Sequence, residues 1–298
     1  ITCRDWSSDV CSSDLFGDRN PVSFDRGEGL YLYTNDGKKY ADFMGGIAVN
    51  ALGHSNPAVK SAVHEQVEKV IHTSNLYYNE CQALLAKKLV EISCADKVFF
   101  ANSGAEANEG AIKLARMYFY KKGEGHKNEI ITAKNSFHGR TLATLAATGQ
   151  EKYHKPYKPL VPSFVYVEPN DIEQLVNAVT ENTCAIMLEV IQGESGVNPL
   201  TYSYIKAARE LCNEKGILLI FDEIQTGMGR TGVMFGYEHF CIEPDIFTLA
   251  KALGGGVPIG AVCAKDFCCA FEAGDHGSTF GGNHLACQWN DAAMGELT

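Results

Sequence analysis

Lys251 lies in a neutral stretch of the sequence, TLAKALGGGVPIG, with alanine and leucine on both sides and three glycines behind it. A lysine is rarely buried without a partner. One interpretation is a surface side chain whose stem covers apolar atoms while its ammonium stays in water. The other is a buried amine whose pKa is lowered by desolvation and which forms a Schiff base with a carbonyl group. Residues elsewhere in the chain bear on this choice.

Asp222 directly follows the most apolar stretch of the chain, Ile217–Phe221. A carboxylate at the inner end of a buried strand must be hydrogen-bonded or paired with a cation, because its burial alone costs several kcal/mol. A helix cap or a structural ion pair is the ordinary explanation. Asp222 and Glu223 could also bind magnesium, but the phosphate-binding lysine that accompanies such a pair is missing. The remaining possibility is that Asp222 pairs with a ligand that carries its own positive charge.

The segment Asn102–Glu109 carries a second polar cluster, in which we expect Ser103 and Glu106 to form a capping box at the start of a helix. The small residues Gly104 and Ala105 would leave backbone N–H groups free at the positive end of that helix, which suits a phosphate. The pattern is weak by itself, since the chain has neither a phosphate-binding-loop lysine nor a Gly-x-Gly-x-x-Gly motif there.

The segment Ser136–Thr141 carries another cluster, with Phe137, His138 and Arg140. Core packing is the ordinary explanation for an aromatic residue beside a histidine, and a surface position is ordinary for an arginine. In a binding site, Phe137 could stack on a flat ring and Arg140 could bind a carboxylate through two parallel hydrogen bonds. These residues alone leave both explanations open.

The elements that would position these side chains are short apolar strands alternating with amphipathic helices. The predicted strands are Val98–Ala101, Glu129–Ala133, Phe164–Val167, Cys184–Val190, Ile217–Phe221, Ile246–Ala250 and Ile259–Ala264. The predicted helices are about Pro57–Ile71, Asn79–Ile92, Ala105–Tyr120, Asp171–Val179 and Tyr202–Lys215. This alternation predicts an α/β fold with a mostly parallel sheet covered on both faces. Such sheets bind ligands outside the carboxyl ends of their strands, where all four clusters lie.

Together the clusters indicate one cofactor. Pyridoxal 5′-phosphate requires a lysine for its aldehyde, an aspartate that keeps its ring nitrogen protonated and an anchor for its phosphate, and an aromatic residue can stack on its ring. No other common ligand uses all four. We therefore predict that Lys251, Asp222, Phe137 and the segment after Ser103 form one site.

Composition and charge exclude several other classes of function. The formal net charge is −10 and the chain has no block of lysine and arginine, so neither nucleic acid nor an anionic membrane is an expected partner. The eleven cysteines include no C-x-x-C pair, so we expect reduced thiols, no metal site and a cytoplasmic protein. No apolar run approaches the length of a membrane span, and no signal peptide is recognisable.

Residues 1–15 differ from the rest of the chain. They contain a near-duplication, SSDVC followed by SSDL, and lack the apolar period of a strand or helix. We expect them to be a non-native leader and exclude them from the fold.

Several specific motifs are dispersed along the remainder of the chain. They are Gly46–His54, Ser103–Glu109, Phe137–Gly149, Gln192–Glu194, Asp222–Gly227, Lys251–Gly256 and Gly277–Asn283. By these motifs the chain resembles, from about Asn20 to its last residue, the class III (ornithine/acetylornithine-type) aminotransferases of fold type I. The resemblance implies a large domain with a mostly parallel, seven-stranded sheet over residues 56–298. Residues 16–55 would be the N-terminal part of a small domain that is only partly present.

The resemblance also implies roles for individual residues at the cofactor. Lys251 would bind the aldehyde covalently, and Asp222 would pair with the pyridinium nitrogen. Phe137 would stack on the ring, and Gln225 would hydrogen-bond the ring oxygen at position 3′. His138 belongs to the same cofactor-binding set.

The phosphate and the subunit partner are implied in the same way. Ser103, Gly104 and Ala105 would bind the phosphate. Thr279 would reach the phosphate of the cofactor in the partner subunit, which implies a homodimer with shared active sites. Ser278 would contribute to the substrate site.

The reaction implied is transfer of the ω-amino group of N2-acetyl-L-ornithine to 2-oxoglutarate, in arginine biosynthesis. Arg140 would bind the carboxylate far from the reacting carbon. Glu194 would pair with a second arginine, near the C-terminus of similar enzymes, which this chain lacks. Gly46 stands where ornithine-specific relatives have a tyrosine, which favours the acylated amine.

Other activities stay open. A different ω-aminotransferase of this family would act on ornithine, succinyl-diaminopimelate or 4-aminobutyrate, and a racemase would use the same cofactor. Val190 and His284 replace prolines that are usual in relatives, but both lie outside the chemistry. Because the chain stops at Thr298, before the remainder of the small domain, an inactive truncated fragment is the alternative of a different class.

Overall fold

The computed structural model describes residues 20–297 as an α/β fold built around a seven-stranded sheet. The predicted leader, residues 1–15, lies outside the described residues. The strands are β1 (Phe24–Glu28), β2 (Tyr31–Thr34), β3 (Lys39–Ala41), β4 (Lys97–Ala101), β5 (Glu129–Ala133), β6 (Phe164–Val167), β7 (Thr183–Leu188), β8 (Ile191–Gln192), β9 (Asn198–Pro199), β10 (Leu218–Asp222), β11 (Ile246–Leu249) and β12 (Gly260–Ala264).

The central sheet has the strand order β4-β12-β11-β10-β7-β5-β6. Strands β11, β10, β7, β5 and β6 are parallel to one another, and β12 is antiparallel to both of its neighbours, β11 and β4. All seven predicted strands are present with ends within two residues of the prediction. The prediction of a mostly parallel, seven-stranded sheet is confirmed, and every residue of β7, β10 and β11 is buried, as expected when both faces are covered.

Most of the helices begin directly after a residue whose side chain accepts a backbone N–H of the first turn. They are α1 (Pro57–Val67), α2 (Glu80–Glu91), α3 (Gly104–Lys121), α4 (Leu142–Ala147), α5 (Glu151–His154), α6 (Ile172–Ala178), α7 (Tyr202–Lys215) and α8 (His284–Leu297). The Asn56 side chain accepts the N–H of Ala58 at the start of α1, and the Asn79 side chain accepts that of Gln82 at the start of α2. Helices α4, α5 and α8 were not among the predicted helices. For α4 and α5 the reason is that fewer than two turns carry too little apolar period to recognise.

Helix α3 anchors one edge of the site. Its residues Ala107, Ala111, Leu114, Ala115 and Phe119 are buried in the core, at the three- and four-residue spacing of one helix face. This face packs on β11 and β12. The packing holds the first turn of α3 at the end of β4, beside the carboxyl ends of the parallel strands.

The N-terminal elements are separate from the central sheet. Strands β1, β2 and β3 form an antiparallel sheet of their own, mostly exposed, and a short helical turn, Gly45–Ala48, comes after it. The division of the chain into a small domain at residues 16–55 and a large domain at residues 56–298 stays a prediction.

Candidate active site

A cavity of about 410 Å³ brings together most of the predicted site residues. Those that line it are Ser103, Gly104, Ala105, Phe137, His138, Arg140, Glu194, Asp222, Gln225 and Lys251. They come from segments far apart in the sequence. They meet because the carboxyl ends of parallel strands lie at one edge of the sheet.

Ser278 and Thr279 do not line this cavity. The Ser278 hydroxyl accepts hydrogen bonds from Asn102 Nδ2 at 3.1 Å and from the Gly281 N–H at 2.9 Å. Ser278 lines a different cavity, between α2 and β4. The role of Ser278 in substrate binding and the role of Thr279 in a partner subunit's site stay predictions.

Asp222 ends β10, is only 4% exposed, and accepts hydrogen bonds on both of its carboxylate oxygens. Its Oδ2 accepts from Asn108 Nδ2 at 2.8 Å and from His138 Nδ1 at 2.7 Å, and its Oδ1 accepts from the Ile224 N–H at 3.1 Å. These donors offset the cost of burying the charge. The carboxylate faces the cavity, where a cationic group of a ligand could pair with it.

Glu223, the neighbour of Asp222, points elsewhere. Its carboxylate accepts from the backbone N–H groups of Gly236 at 2.9 Å and Tyr237 at 2.8 Å, and from the Thr226 hydroxyl. It therefore anchors the start of a 3₁₀ turn, Gly236–Phe240. The two adjacent acids do not share a ligand site.

His138 is buried against Asp222. Burial lowers the pKa of its imidazole, but the hydrogen bond and charge of Asp222, with the charge of Glu189, outweigh burial and raise the pKa above its ordinary value. Within the described part of the chain, Nε2 of His138 has no hydrogen-bond partner. A positive charge on this ring would be compensated by the Asp222 carboxylate.

Lys251 is the first residue of a short 3₁₀ turn, Lys251–Leu253, after β11. Its φ of 40° is left-handed, which is uncommon for a residue other than glycine. Desolvation lowers the pKa of its amine, although the charges of Asp222 and Glu189 act in the opposite direction. The neutral amine is the nucleophilic form. Lys251 thus lines a cavity with the acid predicted to act with it.

The first turn of α3 forms the anion-binding end of the cavity. The Ser103 hydroxyl caps the helix by accepting the Glu106 N–H at 3.1 Å. The predicted capping box also requires the Glu106 side chain to accept the N–H of Ser103. In the structure Glu106 Oε2 accepts the N–H of Asn102 instead, at 2.7 Å. The N–H groups of Gly104 and Ala105 have no intrahelical acceptor by their position. An anion is therefore favoured here.

Two glycines permit close approaches that shape the site. A Cβ on Gly193 would lie 1.5 Å from Oε1 of Gln225, so the Gln225 amide rests directly on the Gly193 backbone. A Cβ on Gly260 would lie 2.3 Å from the Ser103 carbonyl oxygen. Glycine at these positions lets Gln225 and the start of α3 take their places at the cavity.

Arg140 and Glu194 are held by a shared tyrosine. The guanidinium carbon of Arg140 lies 4.0 Å from the centre of the Tyr153 ring. Glu194 accepts hydrogen bonds from the Tyr153 hydroxyl and from Gln150 Nε2, both at 2.7 Å. Burial raises the pKa of Glu194, but these hydrogen bonds and the charges of Lys152 and Arg140 outweigh it, so the pKa is lowered.

The sequence analysis did not identify Asn108, which hydrogen-bonds the Asp222 carboxylate. Asn108 is fully buried on α3 and donates both to Asp222 and to the His138 carbonyl, at 2.8 and 2.7 Å. Its Oδ1 accepts from the Thr248 hydroxyl at 2.7 Å. A polar residue on the apolar face of a helix was the one signal that could have identified Asn108.

Glu189 was also missed. It follows β7, is 6% exposed, and its Oε1 accepts from the Phe137 N–H at 2.8 Å. Burial raises the pKa of this carboxyl group to about 8. The predicted strand extended past Glu189 to Val190, so Glu189 was not recognised as an acid at the end of a strand.

Metal sites, membrane spans and thiols complete the description of residues 20–297. No group of three or more His, Cys, Asp or Glu side chains there is arranged to bind a metal ion. None of the helices in that range combines the length and the apolar character needed to cross a membrane. The cysteines described are free thiols.

Comparisons with known sequences identify relatives over nearly the whole chain. A family model described as class III aminotransferase matches residues 16–297. An acetylornithine aminotransferase of Caldanaerobacter subterraneus is 57% identical over 280 residues, which cover 94% of this chain and 71% of the relative. One of Gloeobacter violaceus is 58% identical over 90% of this chain and 67% of the relative.

Solved structures agree with the sequence relatives. The ornithine aminotransferase of Toxoplasma gondii matches with a TM-score of 0.91 at 34% identity, covering 99% of this chain and 73% of that one. The N-acetylornithine aminotransferase of Stenotrophomonas maltophilia matches with a TM-score of 0.80 at 39% identity, covering 95% and 70%. The similarity therefore extends from the motifs to the arrangement of the elements.

Proposed function

Because this chain belongs to the class III aminotransferases, we propose that it transfers the ω-amino group of N2-acetyl-L-ornithine to 2-oxoglutarate with pyridoxal 5′-phosphate as cofactor. The products would be N-acetyl-L-glutamate 5-semialdehyde and L-glutamate, a step of arginine biosynthesis. The observation that carries the proposal is that Lys251 and Asp222 line one cavity together with the first turn of α3. The choice of amine is supported by the acetylornithine aminotransferases at 57% and 58% identity.

The residues of the cavity fit this cofactor. Gly104 and Ala105 offer backbone N–H groups, and the Ser103 hydroxyl, whose oxygen accepts the Glu106 N–H, keeps its own proton to donate to a phosphate. Asp222 offers a hydrogen-bonded carboxylate for a protonated ring nitrogen. The volume of about 410 Å³ lies in the usual range for small-molecule sites, roughly 300 to 1,000 Å³.

The chain's own residues would divide the work of the reaction. When bound, pyridoxal 5′-phosphate supplies an electron-withdrawing ring next to the carbon that carries the amine. Nζ of Lys251 would take the proton from the amine-bearing carbon of N-acetylornithine in the first half-reaction, and would deliver a proton to the α-carbon of the glutamate formed in the second. Asn108 and His138 keep the Asp222 carboxylate in place, and Arg140 would bind the substrate carboxylate.

The test is amino transfer by the purified chain supplied with pyridoxal 5′-phosphate. We expect glutamate to form from 2-oxoglutarate and N-acetylornithine, and Lys251→Ala to abolish its formation. Lys60→Ala, which removes an exposed lysine, is the matched control and should keep the activity. Ornithine, succinyl-diaminopimelate and 4-aminobutyrate are assayed in parallel. Turnover of one of these without turnover of N-acetylornithine would replace the proposed substrate, and activity in Lys251→Ala would refute the assignment of the lysine.

We also propose a homodimer with shared active sites, in the cytoplasm. Thr279 lies outside the cavity of its own subunit, and the large apolar side chains of Leu76, Tyr77, Tyr78 and Phe280 are exposed. Exposed apolar side chains of this size are typical of an interface with another protein. The free thiols of the described cysteines agree with a reducing compartment.

A further inference from the structure

Tyr153 contacts both charged residues of the predicted substrate site, each with a different part of its side chain. Its hydroxyl donates to Oε1 of Glu194 at 2.7 Å, and its ring lies 4.0 Å from the guanidinium carbon of Arg140. The Phe137 ring packs edge-on against the Tyr153 ring at 6.1 Å and lies 5.3 Å from the same guanidinium carbon. Arg140 therefore rests on two aromatic rings.

Both carboxylate oxygens of Glu194 accept hydrogen bonds from donors on one short helix. Its Oε2 accepts from Nε2 of Gln150, the N-cap residue of α5, and its Oε1 accepts from Tyr153 one turn later. Residues three apart on a helix lie on the same side, so both donors reach one carboxylate. The cation nearest to Glu194 is Lys152, whose Nζ lies 3.9 Å from Oε1.

Arg140 makes no ion pair with any acid of residues 20–297, although Glu194 lines the same cavity. The opposite charges of Arg140 and Glu194 attract each other, and the attraction is stronger where water is partly excluded. Stacking on aromatic rings uses the face of the guanidinium group and leaves the N–H donors along its edge available. Glu194 accepts instead from two neutral donors, Gln150 and Tyr153.

We propose that Tyr153 is a positioning residue that holds Glu194 away from Arg140 and so keeps the guanidinium group free to bind a substrate carboxylate. The inference rests on the proposed function only in taking a carboxylate-bearing compound as the ligand. Tyr153 itself does not line the cavity, so it acts through Arg140 and Glu194.

The test is dicarboxylate binding by the chain loaded with pyridoxal 5′-phosphate. Glutarate carries two carboxylates but neither an amine nor a ketone, so its Kd from isothermal titration calorimetry reports binding without turnover. Tyr153→Phe keeps the ring and removes the hydroxyl, which frees one oxygen of Glu194 to pair with Arg140. We expect the Kd of glutarate and the KM of N-acetylornithine to rise about tenfold, the size expected for one hydrogen bond to a charged group, while kcat stays within about twofold.

A double substitution separates this role from a structural one. Tyr153→Phe combined with Glu194→Gln should restore the Kd of glutarate to within about twofold of the unsubstituted chain, because the neutral amide does not compete for Arg140. Tyr157→Phe removes the hydroxyl of an exposed neighbouring tyrosine and should leave the Kd unchanged. Urea unfolding of each variant checks that the fold is retained.

Each result decides the inference. An unchanged Kd in Tyr153→Phe, no recovery in the double variant, or no measurable glutarate binding by the unsubstituted chain would overturn it. If the Kd follows the expected pattern while N-acetylornithine is not turned over, the proposed substrate is wrong and the role of Tyr153 stands.

Discussion

Asp222 keeps a buried carboxylate because three donors converge on it from different elements: α3, the segment after β5 and the backbone just beyond β10. Asn108 is the most constrained of these donors, since its amide is shared among Asp222, His138 and Thr248. Together these contacts give both the nitrogen and the oxygen of the Asn108 amide a hydrogen-bond partner. The position of the acid at the cavity is therefore set by a network and not by a single ion pair.

Glu189 makes stability depend on pH. Its pKa is raised from an ordinary value of 4.5 to about 8, mainly by burial, so the folded chain keeps a proton that the unfolded chain releases. The contribution of Glu189 to stability therefore falls as the pH rises from about 4.5 to about 8. Glu189→Gln mimics the protonated form, and we expect it to raise the free energy of unfolding at pH 8.5 by on the order of a few kcal/mol and to flatten the dependence between pH 5 and 8.

Urea unfolding of the purified chain at several pH values measures this effect. Glu181→Gln, which changes an exposed glutamate, is the matched control and should leave the pH dependence as it is. An identical pH dependence in Glu189→Gln and the unsubstituted chain would contradict the raised pKa.

At the scale of elements, the site depends on two loops that touch at the ends of neighbouring strands. The Gln192–Glu194 segment follows β7 along the chain, and Gln225 follows β10, which pairs with β7 in the sheet. Parallel pairing brings both loops to the same edge. The absence of a side chain on Gly193 then lets the Gln225 amide lie against its backbone.

Gly193→Ala tests this contact. Its Cβ would lie 1.5 Å from Oε1 of Gln225, and the flexible amide is the group that must move. We expect the Kd of pyridoxal 5′-phosphate, followed by absorbance titration, to rise about tenfold through loss of one hydrogen bond, while the urea midpoint changes little. Gly125→Ala is the control, since its Cβ would meet only Tyr120, at 3.4 Å. A large drop in stability without a change in cofactor affinity would contradict the expectation.

At the scale of the whole molecule, most of the predicted residues gather in one cavity and Thr279 does not. After β12 the chain returns to the end of β4, where the Ser278 hydroxyl accepts from Asn102 Nδ2 at 3.1 Å, but Thr279 itself stays outside the cavity. Beside it, Phe280 is exposed and contacts His72. This arrangement favours a site in a second subunit as the place where Thr279 acts.

Mixed dimers test that arrangement. Chains with Lys251→Ala and chains with Thr279→Ala are co-expressed with different tags and the hybrid is purified. If Thr279 serves the partner subunit, one site of the hybrid combines an intact Lys251 with an intact Thr279. We then expect the hybrid to bind pyridoxal 5′-phosphate at half its sites with the affinity of the unsubstituted protein. If neither site of the hybrid binds pyridoxal 5′-phosphate with that affinity, or if the chain is a monomer, the proposal of shared sites is refuted.

The fold and the cofactor chemistry were largely predictable because their signals are local. The apolar strands and the caps at Asn56 and Asn79 depend on residues within one or two turns, and the structure has each element within a few residues of its predicted place. Polar clusters after strands predicted a shared site because parallel topology dictates where strand ends meet. The individual roles came from the resemblance to a family and not from the pattern.

Only the tertiary structure decided which side chains hold the site together. Asn108 meets Asp222 and Thr248 from positions more than a hundred residues away in the chain, and Tyr153 joins Arg140 to Glu194. No periodicity or motif encodes such contacts, because they depend on how whole elements pack and on the rotamers that this packing allows. The sequence by itself determined which chemistry is available, and packing determined which groups are held within reach of it.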